Sequence, residues 1–62
     1  MRLTQEQRDK AILWFESVGL HAENHFGKVY LEFDLFSVEL AEAEVEGRAE
    51  QWDNEQSAEV HN

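Results

Sequence analysis

The sequence predicts an α+β fold made of an N-terminal helix, a small antiparallel sheet of two or three strands, and an acidic C-terminal helix, in the order α-β-β-(β)-α. Three observations predict it. From Thr4 to Val18, apolar residues recur at helical spacing between a capping signal and a glycine. After Gly19 the apolar period shortens to two, the repeat of a strand with one buried face. Beyond Leu40 helical spacing returns in a run rich in Ala and Glu, which are strong helix formers and poor strand formers.

The first helix is specified at both ends. Thr4 with Gln7 three residues later forms a T-x-x-Q capping box, and Glu6 lies in the first turn, where the helix dipole favours an acid. Gly19 provides the left-handed residue that commonly closes a helix. On a helical wheel Ala11, Trp14, Phe15 and Val18 share one face, with Ile12 at its edge, so this stripe is expected to meet the sheet. Leu13 points away, and beside Trp14 it would extend an apolar patch for a dimer or another partner.

Leu20 to Asn24 reads as a short strand, followed by a turn over Asn24 to Gly27. Lys28 to Phe33 alternates cleanly, with Val29, Leu31 and Phe33 on one side and Lys28, Tyr30 and Glu32 on the other. Asp34 and Leu35 then connect to a third strand over Phe36 to Leu40, unless Ser37 caps the last helix directly and the sheet has two strands. The β-compatible VEL favours three.

The last helix is expected over Ala41 to Asn54. Ala41, Val45, Ala49 and Trp52 form its buried stripe, while Ala43 and Gly47 make a line of small residues that permits close approach of another backbone. The whole forms one domain over residues 1–55, and the aperiodic QSAEVHN at 56–62 is expected to be a disordered tail.

Composition narrows the function classes. A chain of 62 residues has room for one thin core, and with no cysteine it has no disulfide or thiolate zinc site to reinforce it. A homodimer or a bound partner would supply missing burial. The opening MRLTQEQRDK has no apolar signal region, and no apolar run approaches the roughly 20 residues of a membrane span, so the chain is expected to be soluble and cytoplasmic. His21, His25 and His61 match no zinc spacing, and Thr4, Ser17, Ser37 and Ser57 stand in no nucleophile motif. Neither a phosphate-cradling glycine loop nor a basic run for nucleic acid occurs. The expectation is a protein that is not an enzyme and holds no cofactor or metal.

Charge carries the positive signal. Residues 1–31 balance four acids against Arg2, Arg8, Lys10 and Lys28, whereas residues 32–62 set ten acids against Arg48 alone, so the net charge of −9 lies entirely in the second half. Such a surface repels nucleic acid and anionic membranes and attracts basic proteins; acids also keep small proteins soluble. Glu42, Glu46, Glu50 and Asp53 fall on one helical face. Four residues of helix rise about 6 Å, a spacing comparable to that of phosphates along one nucleic-acid strand. With Glu39 and Glu44 added, these residues are the candidate partner-binding set for a Lys/Arg-rich site on a nucleic-acid-binding protein. Arg48 would interrupt the field locally. The competing reading is a structural, assembly or antitoxin-like module that binds through apolar surface around Leu13, Trp14 and Trp52.

The size, the absence of cysteine and the run VELAEAEVEGRAEQWDNE resemble the small acidic proteins that bacteriophages encode to block host enzymes, anti-CRISPR proteins among them. That resemblance implies a non-enzymatic inhibitor working in the host bacterial cytoplasm, with a CRISPR effector complex as one possible target. It transfers no residue by position.

Overall fold

A computed structural model describes residues 2–60, with Glu59 and Val60 described by backbone alone. The elements are α1 (Gln5–Ser17), β1 (His21–His25), β2 (Lys28–Glu32), β3 (Ser37–Glu39) and α2 (Glu42–Val60). The three strands form one antiparallel sheet in the order β1-β2-β3, and the fold is α-β-β-β-α.

Helix α1 starts as its sequence dictates. The Thr4 hydroxyl accepts from the Gln7 N–H at 3.0 Å, and the Gln7 side-chain oxygen accepts from the Thr4 N–H at 2.9 Å, so two orphan donors are satisfied reciprocally. At the other end Gly19 adopts φ +91°, the Gly19 N–H donates to Glu16 O and the Leu20 N–H to Phe15 O, both at 3.0 Å. This pair of bonds is a Schellman closure, which caps the last carbonyls. Ala11 and Phe15 are buried, and Ile12 and Trp14 pack at the margin of the core. Val18 does not join the stripe: as the C-cap residue it lies beyond the packed surface and is exposed.

Strand β1 sits one residue later than expected, because the hairpin loop is only Phe26–Gly27, closed by the His25–Lys28 pair. Both loop residues have positive φ, 55° and 83°, as a type I′ turn requires. The Asn24 side-chain oxygen accepts from the Gly27 N–H at 3.2 Å and steadies the turn. In β2, Val29 is buried and Leu31 packs on the core, but Phe33 falls past the strand end. There the Phe33 N–H donates to Phe36 O at 2.8 Å and the two rings stack at 4.9 Å, folding the connection back into β3.

Helix α2 runs to Val60, beyond the expected end at Asn54, so residues 56–60 form its last turns; His61 and Asn62 lie outside the described residues. Ala41 stands before the helix and is exposed rather than part of the buried stripe. Its carbonyl accepts from the N–H groups of Glu44 and Val45 at 3.0 and 3.1 Å. Val45 and Ala49 are buried and Trp52 is half-buried. The core joins Ala11 and Phe15 of α1, Ala22 and Val29 of the sheet and Val45 of α2, with Leu3, Leu31 and Leu40 at its edge. Phe15 is the only aromatic among the buried residues described, so the core is thin, as chain length demands.

Arg48 ties the two helices together. Its guanidinium lies 4.2 Å from the Trp14 ring centroid and 5.7 Å from that of Phe15, while Nε donates to Glu44 at 2.7 Å and a terminal nitrogen to Gln51 Oε1 at 2.9 Å. A lone base in an acidic run therefore serves as a cation–π clamp across the helix interface.

Candidate functional site

The six acids predicted to bind a partner separate into two groups. Three are engaged within the fold. Asp53 lies 2.8 Å from the Lys10 ammonium, Glu44 is bound by Arg48, and Glu39 faces Lys28 at 3.8 Å. The other three, Glu42, Glu46 and Glu50, have no ion-pair partner among the described residues. They recur one turn apart along α2, with Glu42 and Glu50 exposed and Glu46 half-buried.

Helix packing adds a residue that chain order does not reveal. Glu46 and Glu50 line a shallow groove between α1 and α2, together with Glu6, Lys10 and Asp53. Lys10 bridges Asp53 and, at 3.6 Å, Glu6. Its hydrogen bond to Asp53 outweighs partial desolvation and raises its pKa above the usual lysine value, so the bridging cation stays charged throughout the neutral range. Glu6 was legible only as a helix-dipole acid. Its place beside the ladder follows from how the two helices pack, a long-range fact. Glu42 and Glu39 face a different groove, near the hairpin, with Leu3, Lys28 and Leu40. The predicted acids other than Glu44 therefore line two grooves along α2.

Near the hairpin tip Arg2, Arg8, Lys28 and Glu42 line one open groove, with Phe26 at its rim. Arg8 is largely engaged, donating to Leu3 O at 3.0 Å and to Gln5 Oε1 at 3.2 Å. These bases come from separate segments, so no local run announces them. Phe26 itself is as exposed as in an isolated peptide, at 105% of its reference area.

The polar face of the sheet carries Glu23 between two histidines. His21 Nε2 lies 2.7 Å and His25 Nε2 3.1 Å from its carboxylate oxygens, and His25 also meets the Tyr30 ring edge-on. The hydrogen bond from His21 holds the Glu23 carboxyl below the usual glutamate range. Among the described residues no group of three His, Cys, Asp or Glu side chains is disposed to hold a metal ion.

The apolar surface lies elsewhere than expected. Trp14 and Trp52 are half-buried, and the Trp14 ring is covered by Arg48 while its N–H donates to Glu55 at 3.3 Å. Leu13 is exposed as predicted, but it is a single residue. A larger patch occupies the end of the sheet away from the hairpin, where Leu20, Phe33, Leu35 and Phe36 line a broad open groove. Leu35 is 94% exposed, Phe36 61% and Phe33 41%. Alternation groups Phe33 with Val29 and Leu31 on one side of β2, but it does not reveal whether anything covers that side.

No protein-family model, curated protein or solved structure significantly matches this chain. The fold and surfaces define a small α+β domain with an acidic helical face and an uncovered apolar sheet end. No helix among the described residues is long and apolar enough to cross a membrane.

Proposed function

We propose that this chain is a non-enzymatic protein-binding inhibitor that presents α2 to a Lys/Arg-rich surface of a nucleic-acid-binding protein or complex, a CRISPR effector being one such target. The observation that carries this reading is the unpaired series Glu42, Glu46 and Glu50 on successive turns of one helix, in a chain of net charge −9. Like charges at that interval destabilise a helix by a few tenths of a kcal/mol each, and no ion pair among the described residues offsets that cost. Asp53 and Glu39 sit at the two ends of the series and contribute in part, since each already faces a lysine. Glu44 is held by Arg48 and belongs to the fold.

The combined variant Glu42→Lys/Glu46→Lys/Glu50→Lys tests the proposal against whole bacterial nucleic-acid-binding complexes captured at low salt. The expected result is lost capture with an unchanged circular-dichroism spectrum, and wild-type binding that weakens steeply as salt screens charges beyond about 8–10 Å. Capture by the folded triple variant would overturn it. A second reading, an assembly or antitoxin-like module that binds through apolar surface, is favoured by the exposed groove of Leu20, Phe33, Leu35 and Phe36. Binding of that kind would strengthen or hold steady with salt.

A further inference from the structure

We propose that the open edge of β3 and the apolar end of the sheet beside it form a self-association surface, and that its occupant is a second copy of this chain in a two-fold dimer. Among the described residues, strand β3 is hydrogen-bonded on one side only, to β2. The Leu40 N–H donates to Val29 O and Phe36 O accepts from the Phe33 N–H, each at 2.8 Å, and Val38 stands opposite Leu31. The backbone groups of Phe36, Val38 and Leu40 are thus turned inward, and strand alternation turns those of Ser37 and Glu39 to the free edge. An edge of this kind is a template for another strand.

The side chains beside that edge are apolar and uncovered. Val38 leaves the sheet on the same face as Leu31 yet is 41% exposed, and Phe33, Leu35 and Phe36 continue the patch to Leu20. Even with every exposed fraction of the patch covered, at roughly 150–200 Å² for a large side chain, each copy would bury at most roughly 500 Å². A pair would therefore remove at most about 1,000 Å² of mostly apolar surface, the low end for a specific interface, so the dimer is a weak one that forms with rising concentration. Three edge residues add few hydrogen bonds, so the apolar area carries the association and the strand edge sets its geometry.

The register is self-consistent. With Ser37 on the two-fold axis, Ser37 pairs with its own counterpart, Phe36 of each copy meets Val38 of the other, and Glu39 of each copy lies opposite the bend at Leu35 that precedes the other's β3. No two acids face each other across the strands, although the chain carries −9 overall. An isologous contact also closes, whereas pairing β3 with the β1 edge of the next copy would propagate into filaments. The thin core, in which Phe15 is the only aromatic among the buried residues described, is relieved by burial of this kind.

Sedimentation equilibrium of the full chain over a wide range of concentration and salt tests the proposal. The wild type is expected to titrate between 7.3 kDa and twice that mass, with a dissociation constant that falls as salt screens the long-range repulsion. Leu35→Asp and Phe36→Asp, both at exposed positions, are expected to weaken the dimer about tenfold or more. Phe26→Ser, which removes an equally exposed aromatic at the other end, should leave it unchanged. A monomer at every concentration, dimerisation indifferent to Leu35→Asp and Phe36→Asp, or growth past the dimer would each overturn the proposal. Circular dichroism of the same samples keeps a loss of folding from being read as a loss of association.

Discussion

Replacing Phe26 by Asn should make this protein more stable, although it deletes an aromatic side chain. Phe26 opens the type I′ turn at φ 55°, a left-handed conformation that costs a residue with a bulky Cβ substituent about 1–2 kcal/mol relative to the right-handed regions. Asn visits this region several-fold more readily, and Asn-Gly is the preferred pair for this turn. Nothing offsets the cost in the folded chain, since Phe26 is 105% exposed and buries no surface there. The gain should be about 1 kcal/mol, or about 4–8 °C in Tm for a domain of this size. With a urea slope near 1 kcal/mol per molar, the midpoint should rise by roughly 1 M. Thermal and urea unfolding followed by circular dichroism read both quantities. A Tm that stays level or falls would mean that the Phe26 ring makes a stabilising contact, and the argument from exposure would be wrong.

Two further substitutions test the reading of α2. Gly47→Ala should stabilise the fold by about 1 kcal/mol, because glycine is the costlier residue in a helix interior and a Cβ at this position would meet nothing within 4 Å. The measurement is again the urea midpoint, and a decrease would show that the helix is not regular there. Arg48→Ala should cost about 1–2 kcal/mol by removing the guanidinium from the faces of Trp14 and Phe15 and breaking its bonds to Glu44 and Gln51. Arg48→Lys should recover only part of that loss, since an ammonium lacks the planar fork; equal midpoints for the two variants would refute the clamp.

What the sequence disclosed follows the range of the interactions involved. The start of α1 depends on a hydrogen-bond exchange between Thr4 and Gln7, three residues apart, and its end on one glycine, so both were legible. The alternation of β2 is equally local. The end of α2 was not legible, because no glycine or proline follows Asn54 and the apolar stripe stops at Trp52 while the backbone continues as helix. The periodicity marked where packing stops, and the helix outlasts the packing. Glu6 joining Glu46 and Glu50, and Arg48 covering Trp14, are contacts between segments some forty residues apart or between different elements, for which no local spacing rule exists. The β2–β3 register puts Val38 opposite Leu31, on the same face, a pairing that alternation within either strand alone does not fix. Nor could alternation show that this side is left open at β3, since exposure depends on the reach of the helical layer.

The two surfaces respond oppositely to salt, and that opposition decides between them. On the proposed reading, Glu42, Glu46 and Glu50 would gain affinity from Coulomb attraction to a basic partner, and added salt would weaken that attraction as the screening length falls. The end of the sheet gains from apolar burial, while the −9 charge of each copy opposes association, so added salt strengthens it. A partner complex that weakens with salt while the dimer tightens requires both surfaces. If both effects share one sign, a single surface governs all association, and the sign identifies it. The Leu35→Asp variant sharpens the comparison because it adds one negative charge at the sheet end, away from the free acids of α2. It should weaken the dimer about tenfold or more at every salt concentration and leave attraction to a basic partner intact.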